Sequence, residues 1–539
     1  MRGSVPTLLL LAILTFFVGL GRPAITDSDE GYYAEASREM VESGDWLTPR
    51  FNYADRWQKP VLYYWLTSAL YVVTGPTEWS ARAWSALSGV GLVLLTWLAA
   101  RRLTRREDAA FLAGAIVATC YGYFTIARLA LPDLPLTFCI TLAIWAALDR
   151  RWALAGVAAG LGFLMKGPVG VIIPAIVLLP IWWRERSWPS VSDVVRAGVV
   201  AIVVGWPWYI AMIATHGWAY VESFFVGDNL ERFATTRYND PRSFLFYVPI
   251  VVGGLVPWAM YLLVLPWRRT VDVVRRRACL TLDEWRLAIW AAAPFIFYTL
   301  SIGKQPRYVL PVLPPLAILL AASMARRIAP ASGEGNRGIR GLAAATWLTV
   351  AMFIVAAILL YRARPLFIMA YPALSIAATA ALAACGAALA WVAVTTRWSL
   401  IPPVLAGTSA VFMLAVQFGA LSGVRPEPVE EVAALIRANR TTERIGEFQV
   451  FVRNLTFYTG VRQTELFNHP QAREFVSSAE PVLLVVRERD LQQIEALTDT
   501  PITRLGEVRY LDTANIRLRN LLAPLPDQDI ETIVLVRTR

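Results

Sequence analysis

The sequence contains little charge, few histidines and few cysteines. Only 17% of its 539 residues are charged and 56% are hydrophobic, whereas a soluble globular chain is usually about a quarter charged. The two histidines and four cysteines show no CxxC or Cys/His spacing, which excludes a zinc site of the common kinds. There is no GxxxxGK[ST] and no convincing GxGxxG motif, so neither a phosphate-binding loop nor a dinucleotide fold is indicated.

The hydrophobic residues lie in long runs, which predicts a polytopic α-helical membrane protein with roughly thirteen spans. The first run is not followed by a clear signal-peptide cleavage site, so we expect an uncleaved span with a cytoplasmic N-terminus. The net charge of +11 comes largely from short arginine-rich loops such as 101–108 and 268–277. Such loops mark the cytoplasmic side of a membrane protein and do not indicate nucleic-acid binding.

Alternation of the spans assigns the remaining loops and the tail to the exterior. The prediction is a multi-pass protein of the cytoplasmic (inner) membrane, with its active site and C-terminal domain extracytoplasmic. Residues 1–425 would form the membrane domain, with a first exterior loop at 22–79, and residues 426–539 a soluble α/β domain. The patterns in the tail predict a helix at 428–440 and strands at 448–454, 481–489 and 532–539.

Ionisable side chains are concentrated in the exterior loops. Asp29 and Asp133 lie directly beside predicted span ends. The exterior loops also hold cations, namely Lys59, Lys166, Arg232, Lys304 and Arg307. Carboxylates serve as general bases or metal ligands, and interfacial cations hold phosphate and stabilise a leaving charge. The pattern therefore predicts transfer of a group from a lipid-linked phosphate.

The exterior location also restricts the donor. Nucleotide-activated sugars are not normally present on that side of the membrane, so a polyprenyl phosphate sugar fits better. The acceptor would be a lipid A-like lipid, an envelope glycan or a protein. A membrane transporter or lipid flippase is the alternative, although that class usually has ionisable residues at mid-bilayer. A second alternative is a receptor or scaffold that binds through its tail.

Each candidate residue also has a purely structural interpretation. Asp29 would cap a helix starting near Gly31, where Glu30 is also favourable. Asp133 would pair with Arg128 at the membrane interface. The others would be membrane-interface anchors, namely Lys59, Arg232, Lys304 and the aromatic-belt residue Tyr308.

Four motifs, in this order, resemble the bacterial aminoarabinose transferase family: DSDEGYYAEASREM, WQKPVLYYW, LPDLPL and KQPRYVLPVLPPLAIL. That family is related to the protein O-mannosyltransferases and belongs to the GT-C class of membrane glycosyltransferases. The resemblance covers approximately the first 330 residues. It implies a GT-C helical bundle with amphipathic helices at 31–43 and 60–73 in the first exterior loop, and an inverting sugar transfer.

The resemblance also implies roles for individual residues. Asp29 and Asp133 correspond to the acidic residues of the family and are the predicted catalytic pair. Lys59 would bind the lipid phosphate. The remaining predicted substrate-binding residues are Glu30, Arg232, Lys304, Arg307 and Tyr308.

Two departures from the family pattern stand beside Lys59. The family commonly has Glu-Lys-Pro with a metal-associated glutamate, where this chain has Gln58. Arg56 replaces a residue that is often aromatic. A divalent metal ion therefore stays only a candidate cofactor, with Asp29 and Asp133 as its candidate ligands.

Overall fold

The structure is a computed structural model that describes residues 5–236, 242–275, 277–328, 337–422, 426–496 and 498–538. Its first α-helices are Val5–Phe17, Ser28–Ser43, Leu62–Thr74, Glu78–Thr104, Glu107–Thr119, Tyr121–Ala127, Asp133–Leu148, Trp152–Lys166, Val169–Glu185, Val191–Gly205, Pro207–His216, Trp218–Val221, Arg232–Ala234 and Tyr247–Gly254. The later helices of the membrane part are Trp267–Val274, Leu282–Leu300, Leu313–Ile328, Arg337–Ala363, Pro372–Val394 and Ile401–Val416.

Short tighter or wider helical turns interrupt this bundle. Glu222–Glu231 and Gln417–Leu421 are π-helical, and 3₁₀ turns occupy Trp258–Val264, Pro306–Val312, Arg364–Leu366, Trp398–Leu400 and Thr513–Asn515. Such irregular turns often occur near functional sites. The segments Glu222–Glu231 and Pro306–Val312 carry several of the residues described below.

The described helices support a polytopic membrane protein. Five of them are long and apolar enough to cross a bilayer, and the number rises to eight if each of three bent helix pairs is one span. Three shorter apolar helices accompany them: Val5–Phe17, Asp133–Leu148 and Trp152–Lys166. The predicted count of about thirteen spans stays a prediction.

The predicted first exterior loop, residues 22–79, contains two helices, Ser28–Ser43 and Leu62–Thr74, close to the predicted ranges 31–43 and 60–73. Asp27 caps the first of them, because its Oδ1 accepts hydrogen bonds from the backbone N–H groups of Asp29 and Glu30 at 2.9 and 3.1 Å. The proposed capping role of Asp29 thus falls to Asp27, and the Asp29 side chain is left for other contacts. A two-stranded ribbon of β1 (Arg50–Phe51) and β2 (Ala54–Asp55) joins the two helices.

A buried ion pair fixes this segment to the bundle. Glu30 Oε1 and Oε2 lie 2.6 and 3.0 Å from the guanidinium nitrogens of Arg82, and both side chains are almost fully buried. Glu30 Oε1 also accepts a hydrogen bond from the backbone N–H of Ala130 at 2.9 Å. The same carboxylate therefore joins the helix that carries Asp29 to the loop that precedes Asp133.

The C-terminal part forms a five-stranded sheet in the order β4-β3-β5-β7-β6. Its strands are β3 (Arg444–Phe448), β4 (Gln463–Leu466), β5 (Val482–Arg487), β6 (Ile502–Tyr510) and β7 (Glu531–Thr538). Strand β3 pairs in parallel with β4 and β5, whereas β7 pairs antiparallel with β5 and β6. The helices of this part are Pro428–Asn439, Leu455–Thr459, His469–Val476, Glu488–Glu495, Leu518–Leu522 and Pro526–Asp529.

Alternate residues of β5 pack into two separate hydrophobic cores, since successive side chains of a strand point to opposite faces. Two of the three strands predicted in the tail correspond to β5 and β7. The predicted strand 448–454 is wrong, because β3 ends at Phe448 and Gln449, Phe451 and Arg453 have left-handed backbone angles that end the extended conformation. The domain boundary predicted between 425 and 426 adjoins residues 423–425, which lie outside the described residues, so it stays a prediction.

Candidate active site

A cavity of 480 Å³ lies where several of the predicted residues meet. Of the predicted set, its lining includes Lys59, Asp133, Arg232, Arg307 and Tyr308. Hydrophobic side chains form much of the remaining wall, including Leu136, Val169, Ile172, Phe225, Phe297 and Tyr298. The cavity therefore combines a charged region with an apolar wall, as an amphipathic ligand requires.

Arg307 connects the two predicted catalytic carboxylates. Its Nη2 pairs with Asp29 Oδ2, and its Nε lies 3.4 Å from Asp133 Oδ2. The Asp29 side chain is 41% exposed, while that of Asp133 is 4% exposed. The 3₁₀ turn Pro306–Val312 thus positions a cation between residues from two distant loops, and Asp29 is the carboxylate accessible to solvent.

Lys166 is a second cation at Asp133. Its Nζ forms an ion pair with Asp133 Oδ1 and lies 4.7 Å from the centre of the Tyr308 ring. Lys166 is the last residue of the helix Trp152–Lys166. Lys166 lies in a predicted exterior loop but is not among the predicted catalytic and substrate-binding residues. The proposed pair of Asp133 with Arg128 does not form, since Arg128 donates to backbone carbonyls such as that of Val18 at 2.8 Å.

Asp228 is a site residue that the sequence analysis missed. It is 4% exposed, and its Oδ1 lies 2.7 Å from Arg232 Nη2 and 3.8 Å from Lys59 Nζ. The spacing of Asp228 and Arg232 within one helical stretch is a usual spacing for ion pairs and could have indicated it. Asp228 holds the two predicted phosphate-binding cations side by side.

The cavity lining has an excess of positive charge. Four cationic side chains line it, namely Lys59, Lys166, Arg232 and Arg307, against the two carboxylates of Asp133 and Asp228. Burial lowers the pKa of Lys59 to about 7, and the neighbouring cations contribute to this shift while Asp228 opposes it. An anionic group bound here would restore the balance of charge.

Asp29 is surrounded by guanidinium groups. Its burial raises the pKa, but Arg307 and the more distant Arg56 and Arg453 outweigh burial and hold the pKa of Asp29 below its ordinary value. The carboxylate is therefore ionised at neutral pH.

Comparison with known proteins agrees with this architecture. The family model for dolichyl-phosphate-mannose-protein mannosyltransferases matches residues 8–221. An undecaprenyl phosphate-α-4-amino-4-deoxy-L-arabinose arabinosyl transferase of Pseudomonas fluorescens is 32% identical over 364 residues, which are 63% of this chain and 63% of the relative. The corresponding enzyme of Edwardsiella ictaluri is 32% identical over 62% of this chain and 61% of its own. The matched region thus spans less than two thirds of these relatives.

Solved structures resemble the whole chain. The structure of ArnT from Cupriavidus metallidurans bound to undecaprenyl phosphate has a TM-score of 0.73 and covers 99% of this chain and 98% of its own, at 21% identity. The chain has the GT-C fold of an aminoarabinose transferase. An oligosaccharyltransferase of Archaeoglobus fulgidus is a more distant structural match, with a TM-score of 0.54 and 12% identity over 92% of this chain and 70% of its own.

The resemblance to aminoarabinose transferases that the sequence motifs predicted is thereby confirmed. Within this aminoarabinose-transferase-like fold, two predicted substrate-binding residues lie elsewhere. Glu30 forms a buried ion pair with Arg82 and does not line the cavity. Lys304 is 5% exposed and donates a hydrogen bond to the Ser301 carbonyl at 2.5 Å, so its ammonium group serves the loop conformation.

The residues present do not fit a divalent metal ion at the predicted position. Asp29 and Asp133 both face the Arg307 guanidinium, and Asp133 also faces Lys166. Gln58 stands where the family has a metal-associated glutamate. Within the described parts of the chain, no group of three or more His, Cys, Asp or Glu side chains could hold a metal ion.

Proposed function

We propose that this protein is an inverting glycosyltransferase that acts on the outer side of the cytoplasmic membrane. It would transfer a sugar from a polyprenyl phosphate donor to a lipid, glycan or protein acceptor. The observation that carries the proposal is the cavity, in which an excess of cations adjoins an apolar wall. Cations bind the phosphate of such a donor and the apolar wall binds its chain. The relatives named for undecaprenyl phosphate aminoarabinose support the same donor class.

On the donor side, Lys59, Lys166 and Arg232 would hold the phosphate. The bond between the sugar C1 and the phosphate oxygen breaks, and its electron pair stays on that oxygen. The lipid phosphate leaves with one more negative charge, which the three cations stabilise. Charge stabilisation of this kind is commonly the largest contribution to group transfer.

On the acceptor side, Asp29 would orient the incoming oxygen because its side chain is the exposed one of the pair. The new bond forms at C1 on the face opposite the phosphate, which inverts the configuration. An acceptor hydroxyl would give its proton to Asp29, whereas an acceptor phosphate already lacks that proton. A lowered pKa makes Asp29 a weak base, so orientation is its main contribution. Asp133 would position Arg307 and Lys166.

The inner membrane location and the outward orientation of the site belong to the same proposal. Asn454 of the C-terminal domain donates a hydrogen bond from Nδ2 to the carbonyl of Asp27 at 2.9 Å. This contact supports a common location for the C-terminal domain and Asp29. Arginine-rich loops on the other side of the predicted spans support an exterior assignment for both.

The proposal is tested with the full-length protein in lipid nanodiscs, supplied with undecaprenyl phosphate aminoarabinose and other polyprenyl phosphate sugars. Lipid A, envelope glycans and proteins serve as acceptors, and mass spectrometry detects the product. Asp29→Asn and Asp133→Asn should each lower transfer by about 10²-fold, the loss expected when a group that orients the reactants is misplaced. Asp55→Asn is the matched control, since Asp55 is an exposed carboxylate of the same segment and should leave transfer unchanged.

Two results would contradict the proposal. One is full transfer in both aspartate variants. The other is movement of lipid across the membrane by the wild type without any sugar product, which would favour the transporter or flippase alternative. Mass spectrometry of lipid A, envelope glycans and secreted proteins from a deletion strain identifies the natural acceptor.

A further inference from the structure

The C-terminal domain contacts the first exterior segment through several hydrogen bonds. Asn52 Nδ2 donates to the Gln463 carbonyl at 2.7 Å, and the Gln463 backbone N–H donates to Asn52 Oδ1 at 2.8 Å. Tyr53 Oη donates to the Gly460 carbonyl at 2.8 Å. The backbone N–H of Ile25 donates to Tyr458 Oη at 2.7 Å. These contacts fix the domain against the segment that carries Asp29.

The loop after β3 contacts the helix that carries Asp29, since Asn454 Nδ2 donates to the carbonyl of its capping residue Asp27. A Cβ atom added at Gly31 would lie 2.6 Å from the Arg453 carbonyl oxygen, so the loop packs directly against the helix that begins at Ser28. Arg453 has φ of +75°, in the left-handed region that non-glycine residues rarely adopt. Such backbone conformations are concentrated at functional sites. The backbone N–H of Arg453 donates a hydrogen bond to Glu447 Oε2 at 3.2 Å, which helps to hold this conformation.

Two arginine side chains converge on one aromatic ring beside Asp29. The guanidinium carbons of Arg56 and Arg453 lie 3.6 and 4.5 Å from the centre of the Tyr32 ring. One arginine comes from the first exterior segment and the other from the C-terminal domain. Stacking on an aromatic ring orients a guanidinium group and leaves its N–H edge available for hydrogen bonds.

The charges of these arginines are only partly balanced. Arg453 Nε lies 3.4 Å from Glu465 Oε2. Arg56 Nε donates to Tyr64 Oη at 3.1 Å, but Arg56 has no carboxylate within 4.0 Å among the residues that the structure describes. A cation withdrawn from water without a carboxylate partner is unfavourable, and a bound oxyanion would offset that cost.

We propose that Arg56 and Arg453 form an oxyanion subsite on the acceptor side of the active site, so that the C-terminal domain supplies part of that site. The subsite would hold a phosphate or carboxylate group of the acceptor next to Asp29. This inference rests on the proposed function, because it assigns the subsite to the acceptor. The donor phosphate would stay with the cations around Asp228.

The first experiment measures sugar transfer in nanodiscs by the full-length variants Arg56→Ala and Arg453→Ala. The KM for the acceptor should rise about tenfold in both variants, the loss expected for one charge-assisted hydrogen bond. The affinity for undecaprenyl phosphate should stay unchanged in Arg453→Ala, since Arg453 is not among the groups that shift the pKa of Lys59. Arg453→Lys should recover part of the acceptor affinity. Arg473→Ala, an exposed arginine on a helix of the same domain, is the matched control and should behave as wild type.

A second experiment does not need turnover. Native mass spectrometry measures binding of lipid A, of lipid A after phosphatase treatment, and of oligogalacturonate as a carboxylate probe. Weaker binding of either oxyanion by Arg453→Ala than by wild type supports the subsite even if no transfer occurs, and it distinguishes phosphate from carboxylate recognition. Equal binding of all probes by wild type and Arg453→Ala would overturn it. An equal fall in donor and acceptor affinity would also overturn it.

Discussion

The ionisation of Lys59 provides a quantitative test of the donor site. Burial is the main cause that lowers the pKa of Lys59 to about 7, and Arg232, Lys166 and Arg56 lower it further. Asp228 acts in the opposite direction, since its carboxylate lies 3.8 Å from the Lys59 ammonium group. In the ligand-free protein, half of the Lys59 side chains would therefore be neutral near neutral pH.

The direction of the pH effect follows from this pKa. A lipid phosphate favours the ammonium form of Lys59, so at pH above the free pKa binding must take up a proton. The dissociation constant for undecaprenyl phosphate should rise about tenfold per pH unit between pH of about 7 and the higher pKa of the complex. Below that range the affinity should level off. It should fall again once the phosphate itself gains a proton, at about pH 6.

Isothermal titration calorimetry in buffers of different ionisation enthalpy measures the proton uptake directly. Binding of undecaprenyl phosphate should take up about 1 proton at about pH 8.5, and the uptake should fall as the pH is lowered through about 7. Lys59→Arg is the matched control, because its guanidinium stays charged over this range. The affinity of this variant for undecaprenyl phosphate should therefore not depend on pH above about 7. Absence of proton uptake by the wild type, or the same pH dependence in Lys59→Arg, would refute the reasoning.

Three further predictions concern neighbouring contacts. Glu30→Gln leaves the buried Arg82 guanidinium without its carboxylate, so the free energy of unfolding should fall by about 3–5 kcal/mol. Thermal unfolding measures this loss, and an unchanged melting temperature would contradict the anchoring role. Gly31→Ala places a methyl group against the Arg453 carbonyl, so limited proteolysis should release the C-terminal domain faster than in wild type, and equal rates would show that the loop adapts. Asp228→Asn removes the charge that favours the ammonium form of the neighbouring lysine, which should move the midpoint of the proton uptake to lower pH in the same calorimetric assay.

Hydropathy, arginine distribution and four short motifs were sufficient to predict the helical membrane architecture, the GT-C resemblance and several of the loops that line the cavity. These signals are local, because a span or a motif is recognisable within its own stretch of chain. They brought Asp29 and Asp133 into consideration as a pair. They assigned Glu30 to the substrate together with Asp29 and gave no sign that Glu30 is buried in an ion pair with Arg82.

Only the folded chain distinguishes those neighbours. Successive residues of a helix point in different directions, so Asp29 meets Arg307 while Glu30 turns into the bundle and meets Arg82. Lys304 lies outside the cavity lining for a different reason, because its ammonium group donates a hydrogen bond to the Ser301 carbonyl of its own loop.

The sequence by itself determined that this chain is a membrane protein whose loops carry ionisable residues beside the spans. The length of an apolar run and the arginine content of a loop can both be read from contiguous residues. The tertiary structure alone decided that Asp228 and Lys166 join the cavity and that Arg453 of the C-terminal domain lies beside Tyr32. Those contacts join residues that lie far apart along the chain, so they depend on how the elements pack. The loop that carries Arg453 also depends on residues with left-handed backbone angles, which end an otherwise strand-like pattern.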